Sequence, residues 1–178
     1  SHLFPFQDDL RKSNDDREGT VNIIRHAILT GIKAHKQRHK GYGKVIIACD
    51  GRQYWRKEIF PPYKAGRSKA RAKSDLDWAL IFNTIDQIRE EVREVFPYHV
   101  IRLEHAEADD VIAVLCKYWQ TNELIDHGMF EEPQPILIIS ADHDFIQLHK
   151  YPTIKQWSPL QKKWLTPKST EYSLNAHI

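Results

Sequence analysis

Three short apolar stretches of this chain end or begin at acids, and that arrangement limits the folds open to it. Val45-Ile46-Ile47-Ala48-Cys49 runs directly into Asp50. Ile136-Leu137-Ile138-Ile139-Ser140 is followed by Asp142-His143-Asp144, and Glu107-Ala108-Asp109-Asp110 opens another apolar segment a short turn after Leu103. Segments of helical period lie between these runs. Short apolar runs alternating with helices imply a mainly parallel sheet covered on both faces, so the expected fold class is α/β, a three-layer domain around a central, mostly parallel sheet. Ligands of such sheets gather at the carboxyl ends of the strands, where Asp50, Glu107, Asp142 and Asp144 all map.

The expected elements follow from period and punctuation. Residues 1–19 hold no sustained periodicity and read as a charged, partly ordered arm. Thr20 caps a helix from about Val21 to Lys40, with Val21, Ile24, Ala27, Ile28, Gly31 and Ile32 on its apolar face and Gly41 as its stop. Lys44–Cys49 is a strand. Pro61-Pro62 and Gly66 forbid one continuous helix across 52–73. Asp75 caps a long helix that Pro97 ends, Tyr98–Leu103 is a strand, and a helix covers about Ala106 to Asp126. A loop at Glu131–Pro135 feeds the strand Ile136–Ser140, a short helix follows at Phe145–His149, and Ile154–Trp157 with Lys163–Leu165 reads as a hairpin. One domain spanning 20–168 is expected, with a tail at 169–178.

Six carboxylates at the ends of buried elements repel one another unless cations neutralise them. Hard oxygen donors suit Mg²⁺ or Mn²⁺, and two such ions activate water against a phosphodiester. Each set also has a plainer reading. Acids at a helix start are favoured by the macrodipole, Asp142 and Asp144 serve equally as turn and cap residues, and Asp50-Gly51 is a common turn pair. A phosphate-ester hydrolase using Asp142 and Asp144 as nucleophile and acid is a rival, weakened because such a pair usually closes the first strand.

At 178 residues, with 41% hydrophobic and 28% charged residues, the chain is long enough to bury a core. No apolar run approaches the ~20 residues that span a bilayer, and no secretory signal is visible. Cys49 and Cys116 read as reduced core residues, which fits a cytoplasmic setting. The net charge of +2 conceals a polarity. Arg52, Arg56, Lys57, Lys64, Arg67, Lys69, Arg71 and Lys73 crowd one stretch that holds a single acid, Glu58. Tyr54, Trp55 and Tyr63 interleave with them. Aromatic faces stack on unpaired bases while cations track phosphates, although a solvated loop with aromatics packed on the core has the same composition. His35 and His39 are spaced to grip zinc but lack an evident third ligand, so an exposed helix face is the simpler reading.

These residues together resemble the flap endonuclease / 5′-nuclease family, with the nearest likeness to its phage replication enzymes, from about Val21 to Leu165. Tyr54-Trp55-Arg56-Lys57 and Tyr63-Lys64-Ala65-Gly66-Arg67 are similar to the family's gateway segment, 52–74 here. Glu107-Ala108-Asp109-Asp110 and Ile138-Ile139-Ser140-Ala141-Asp142-His143-Asp144-Phe145 are similar to its two acidic signatures. The resemblance implies a PIN-like fold and a hydrolase, a 5′-to-3′ exonuclease and flap endonuclease of ribonuclease H type. It would act on RNA–DNA and DNA–DNA substrates and remove primers in phage DNA replication. Asp50, Glu107, Asp109 and Asp142 would hold metal at the cleavage site, with two Mg²⁺ ions in all (Mn²⁺ as substitute), and Asp110 and Asp144 would complete the second site or hold it through water. Lys64 and Arg67 would steady the scissile phosphate. Arg52, Tyr54, Trp55, Arg56, Lys57, Tyr63, Lys69, Arg71 and Lys73 would bind nucleic acid. A monomer in the host cytoplasm, working beside a sliding clamp and a single-strand-binding protein, is the implied setting. The family also carries a first strand ending in Asp and a C-terminal helix-turn-helix-like module. Neither is recognisable in this sequence, which begins at Ser1 rather than Met, so a catalytically incomplete nucleic-acid-binding fragment is the alternative.

Overall fold

The apolar stripe at Ile24, Ala27 and Ile28 forms α1, Arg17–Arg38. The computed structural model, which describes residues 16–122, 124–126 and 131–167, begins this helix about a turn before the expected Thr20 cap. Asp16 is the N-cap, and Thr20 lies buried inside the first turn with its N–H donating to the Asp16 carbonyl at 3.0 Å. Residues 17–19, expected in the arm, are therefore helical. Residues 1–15 of the arm and the 169–178 tail fall outside the described residues. Gly41 does not stop α1. The helix ends at Arg38, a 3-10 turn covers Lys40–Tyr42, and Gly43 takes the positive φ of 64°.

Contacts divide the chain into two compact units, Ser1–His105 and Ala106–Ile178. In the first, β1 (Ile46–Cys49) and β2 (His99–Arg102) pair in parallel, from Ile46 opposite His99 to Cys49 opposite Arg102. The basic stretch between them folds as two short helices, α2 (Trp55–Ile59) and α3 (Ala65–Ala72), broken at Pro61-Pro62 as expected. Gly66 is accommodated within α3. The long helix α4 (Trp78–Val95) is capped by Asp77, not Asp75, because Asp77 adjoins the first turn and accepts the Leu80 N–H at 2.9 Å. Ile24 of α1 packs with Ile81, Ile88 and Val92 of α4, and Ile47 and Val100 carry this core onto the strands. An Arg25–Glu91 ion pair joins the two helices at the surface.

In the second unit, α5 (Ala108–Thr121) ends earlier than its apolar pattern implies. Asn122 closes it, its backbone N–H and side-chain amide both donating to the Tyr118 carbonyl. Leu124–Asp126, expected as helix, is β3, and Glu131–Pro133, expected as loop, is its antiparallel partner β4. β5 (Ile136–Ile139) pairs in parallel with β6 (Ile154–Ser158), and β7 (Lys163–Leu165) closes the expected hairpin with β6. The short helix after β5 is a 3-10 helix, His143–Lys150. Cys116, Ile138, Phe145, Leu148 and Ile154 form the core. Parallel strands connected through helices make the chain α/β.

Candidate active site

The turn leaving β5 carries the second acidic signature on a hydrogen-bonded frame. The Ser140 N–H donates to the Trp157 carbonyl at 3.0 Å, the last ladder bond of the β5–β6 pair. Ser140 Oγ accepts the Asp142 N–H at 3.1 Å, and Asp142 Oδ1 accepts the Asp144 N–H at 2.9 Å. Asp142 is thus both the cap of the 3-10 helix and an oriented carboxylate. Both acids are exposed, whereas Phe145 and Leu148, immediately beyond, are buried. The frame is anchored at its base and open at its acidic end.

Glu107, Asp109 and Asp110 sit at the N-terminus of α5, as expected, with a local role added. Glu107 and Asp110 form a capping box in which the Glu107 N–H donates to Asp110 Oδ2 at 3.0 Å. This capping role does not displace the metal reading, because each carboxylate has about four lone-pair positions. Glu107 is only 3% exposed, and its carboxylate accepts the N3 backbone N–H in that box. Asp109 is exposed.

In the first unit, Asp50 is exposed at the carboxyl end of β1. Arg89 bridges Asp86 at 2.5 Å and Glu90 at 2.7 Å, and Arg102 reaches Asp86 at 3.4 Å. Burial pushes the neighbouring Cys49 thiol above its ordinary pKa, and burial raises Cys116 to about 11, so neither is a ready nucleophile.

The basic segment is organised by its own aromatics. The Lys64 ammonium lies 4.9 Å from the Tyr63 ring centroid and 5.8 Å from that of Tyr54, while Lys57 lies 5.4 Å from Tyr54. The Arg56 guanidinium sits 4.6 Å from Trp55 and 6.0 Å from Tyr63. Such contacts are worth about 0.5–1 kcal/mol each at exposed positions, enough to bias side-chain placement and too little to hold it against a phosphate. Lys64 adopts a left-handed backbone, φ 54°, at the start of α3. Arg71 is directed onto Phe82 of α4 at 5.4 Å. Arg52, Arg67 and Lys73 are exposed, and the side chain of Lys69 lies outside the described ones. His35 and His39 are half-buried with stacked rings, not an exposed pair.

Hard carboxylate donors fit a divalent cation of the Mg²⁺ class. Among the described residues, no group of three or more His, Cys, Asp or Glu is gathered as a metal cage. Mg²⁺ does not need one, since it keeps several waters and is commonly held by one or two carboxylates. Asp142 and Asp144 meet that smaller requirement. Gln156, which sequence reasoning overlooked, also belongs to this turn. Its only signal is a polar residue in the short strand Ile154–Ser158, between Lys155 and Trp157.

Parallel strands with exposed acids at their carboxyl ends, in a chain that also carries an aromatic and basic segment, define a nuclease-like α/β architecture. The chain belongs to the 5′-3′ exonuclease family, N-terminal resolvase-like domain, whose model matches residues 4–174. It is 40% identical over 159 residues to Ribonuclease H of Enterobacteria phage T4, covering 87% of this chain and 49% of that protein. It is 31% identical over 161 residues to Flap endonuclease Xni of Shewanella piezotolerans, covering 89% and 53%. The chain spans about half the length of these curated relatives. Among solved structures, T5 5′-exonuclease with bound zinc ions superposes at TM-score 0.63 and 20% identity, covering 92% of this chain and 54% of that one. T5 D15 protein co-crystallised with metal ions superposes at 0.60 and 17%, covering 93% and 53%. These two likenesses concern the fold.

Proposed function

We propose that this chain is the nuclease portion of a divalent-metal-dependent 5′-to-3′ exonuclease and flap endonuclease. Its substrates would be RNA–DNA and DNA–DNA structures with a 5′ end or flap. The observation that carries the reading is the β5 turn, where Asp142 and Asp144 stand exposed on a frame fixed by hydrogen bonds. When bound, two Mg²⁺ ions supply an activated water and charge compensation for the displacement. In this reading Asp142 and Asp144 would hold and orient those ions, with Glu107, Asp109 and Asp110 of the same unit and Asp50 of the first as the further expected ligands. Lys64 and Arg67 neutralise charge as it develops on the scissile phosphate, and Tyr63 stacks near the base. Arg52, Lys57 and Lys73, all exposed, grip flanking phosphates.

Selectivity in this reading comes from a free 5′ end and junction shape, with no base-edge readout. The ribonuclease H name of the phage relative supports primer removal in phage replication, and the setting proposed with it is a monomer in the host cytoplasm beside a sliding clamp and a single-strand-binding protein. The test is cleavage of an end-labelled 5′-flap duplex across an Mg²⁺ and Mn²⁺ titration, with affinity measured in parallel in Ca²⁺. Metal-dependent release of the flap is expected. Tight binding with no cleavage at any metal concentration would make the chain a nucleic-acid-binding fragment.

A further inference from the structure

We propose that Gln156 is the positioning residue for the Asp142–Asp144 turn, and that it sets metal affinity without touching metal or substrate. The proposal rests on the reading of Asp142 and Asp144 as metal ligands. Gln156 lies in the middle of β6, opposite Ile138 of β5, and has no exposed surface. Its Nε2 donates to the Ser140 carbonyl at 3.0 Å and to the Asp142 carbonyl at 2.7 Å. These two carbonyls bracket the point where the chain leaves the β5 ladder and turns into the acids.

The chemistry of this contact selects a carboxamide. One nitrogen with two N–H groups and no charge serves two carbonyls at once, which no hydroxyl, carboxylate or aliphatic side chain does. The opposite amide orientation would set Oε1 against two carbonyl oxygens, so the donor end must face the turn. The acceptor end gains nothing comparable. Gln156 Oε1 is buried without a hydrogen bond of normal geometry, as is His149 Nε2. Of the other two residues on this face of the strand, Ile154 is apolar, and the buried Ser158 spends its hydroxyl on the Gln161 N–H at 3.1 Å.

From Gln156 the bonds run outward in sequence. It holds the Asp142 carbonyl, Ser140 Oγ holds the Asp142 N–H, and Asp142 Oδ1 takes the Asp144 N–H. The backbone on both sides of Asp142 is thus fixed before its carboxylate meets a cation. Residues that orient metal ligands in this way typically contribute about 10–100-fold to metal affinity.

Gln156→Met preserves length and removes both donors, and Gln156→Glu preserves shape while placing lone pairs against the two carbonyls. For each, Mn²⁺ affinity is measured by electron paramagnetic resonance, together with the Mg²⁺ midpoint of single-turnover flap cleavage. Flap-DNA affinity in Ca²⁺ and a thermal melt accompany them. Both variants are expected to fold, to bind DNA normally and to bind Mn²⁺ about 10–100-fold more weakly. Cleavage should return toward the unmodified rate at saturating metal. Unchanged Mn²⁺ affinity and Mg²⁺ midpoint in folded Gln156→Met would overturn the proposal. So would unfolding of both variants, which would make Gln156 a residue of the fold alone. Asp142→Asn separates the two layers. If it retains full cleavage, the metal reading itself fails. If it is inactive while Gln156→Met matches the unmodified protein, only the positioning role fails.

Discussion

The basic segment of the first unit and the acidic turn of the second are built on opposite principles. Between Arg52 and Lys73 the chain forms two short helices, and its large apolar side chains Ile59 and Phe60 stay outside any core, 76% and 59% exposed. Arg56, Lys57 and Lys64 rest on the segment's own aromatics, and Arg71 rests on Phe82 of α4. The acidic turn instead stands on Phe145 and Gln156, 3% and 0% exposed, and its backbone is tied at three successive points. A phosphate grip tolerates side chains that exchange one weak contact for another. Carboxylates that orient a cation do not, because Mg²⁺ demands near-ideal octahedral geometry.

That contrast breaks most easily at the acids. Asp142→Asn should lower flap cleavage by orders of magnitude and leave affinity in Ca²⁺ nearly unchanged, since chemistry and grip lie on different residues. Loss of binding in parallel with cleavage would merge the two regions into one function. Stability supplies the next largest effect. Phe145→Ala should cost about 3–5 kcal/mol in a denaturant titration, whereas Phe60→Ala should stay within about 0.5 kcal/mol of the unmodified protein. Equal losses would place the basic segment in a packed core.

Within the basic segment, Lys64→Ala should reduce the single-turnover rate by roughly a hundredfold, about 3 kcal/mol, and weaken binding less. Lys73→Ala should mainly weaken binding and flatten its salt dependence by about one phosphate contact. Identical behaviour of the two would leave an undifferentiated basic patch. The smallest expected effect is a pH dependence. Burial holds the His149 imidazole below its ordinary value of 6.5, with the Gln156 amide opposing weakly. The folded state therefore favours neutral His149. Its stabilising contribution is complete above about pH 6.5 and declines as the pH falls below that, through the lowered folded value. His149→Phe should flatten the acid limb of a plot of melting temperature against pH.

Period and punctuation made much of the fold legible. β1, β2, β5 and the β6–β7 hairpin lie where apolar runs place them, and Pro61-Pro62 divides the basic stretch. Two of the misplaced ends trace to side chains that compete for backbone groups: Asp77 takes the cap expected of Asp75, and Asn122 closes α5 while Leu124 and Ile125 continue its apolar pattern into a strand. At the start of α1 it is the Asp16 backbone carbonyl that accepts the Thr20 N–H and adds a turn before the expected cap. The acids of the candidate site were visible as residues, and their supports were not. The Glu107–Asp110 capping box is local and within reach of spacing rules. The Gln156 contact depends on which strand lies beside β5, a fact that no window of sequence contains.

The hairpin that follows also gives the acidic turn an optical signature. Trp157 and Trp164 face each other across β6 and β7 with ring centroids 5.3 Å apart and planes at 77°. Two indoles at that distance and angle form a chirally coupled chromophore pair. Trp157 is also the residue whose carbonyl takes the Ser140 N–H at the root of the turn. A near-ultraviolet circular dichroism band from this pair would follow any loosening of the turn without a label, so cation loading can be watched on the unmodified chain.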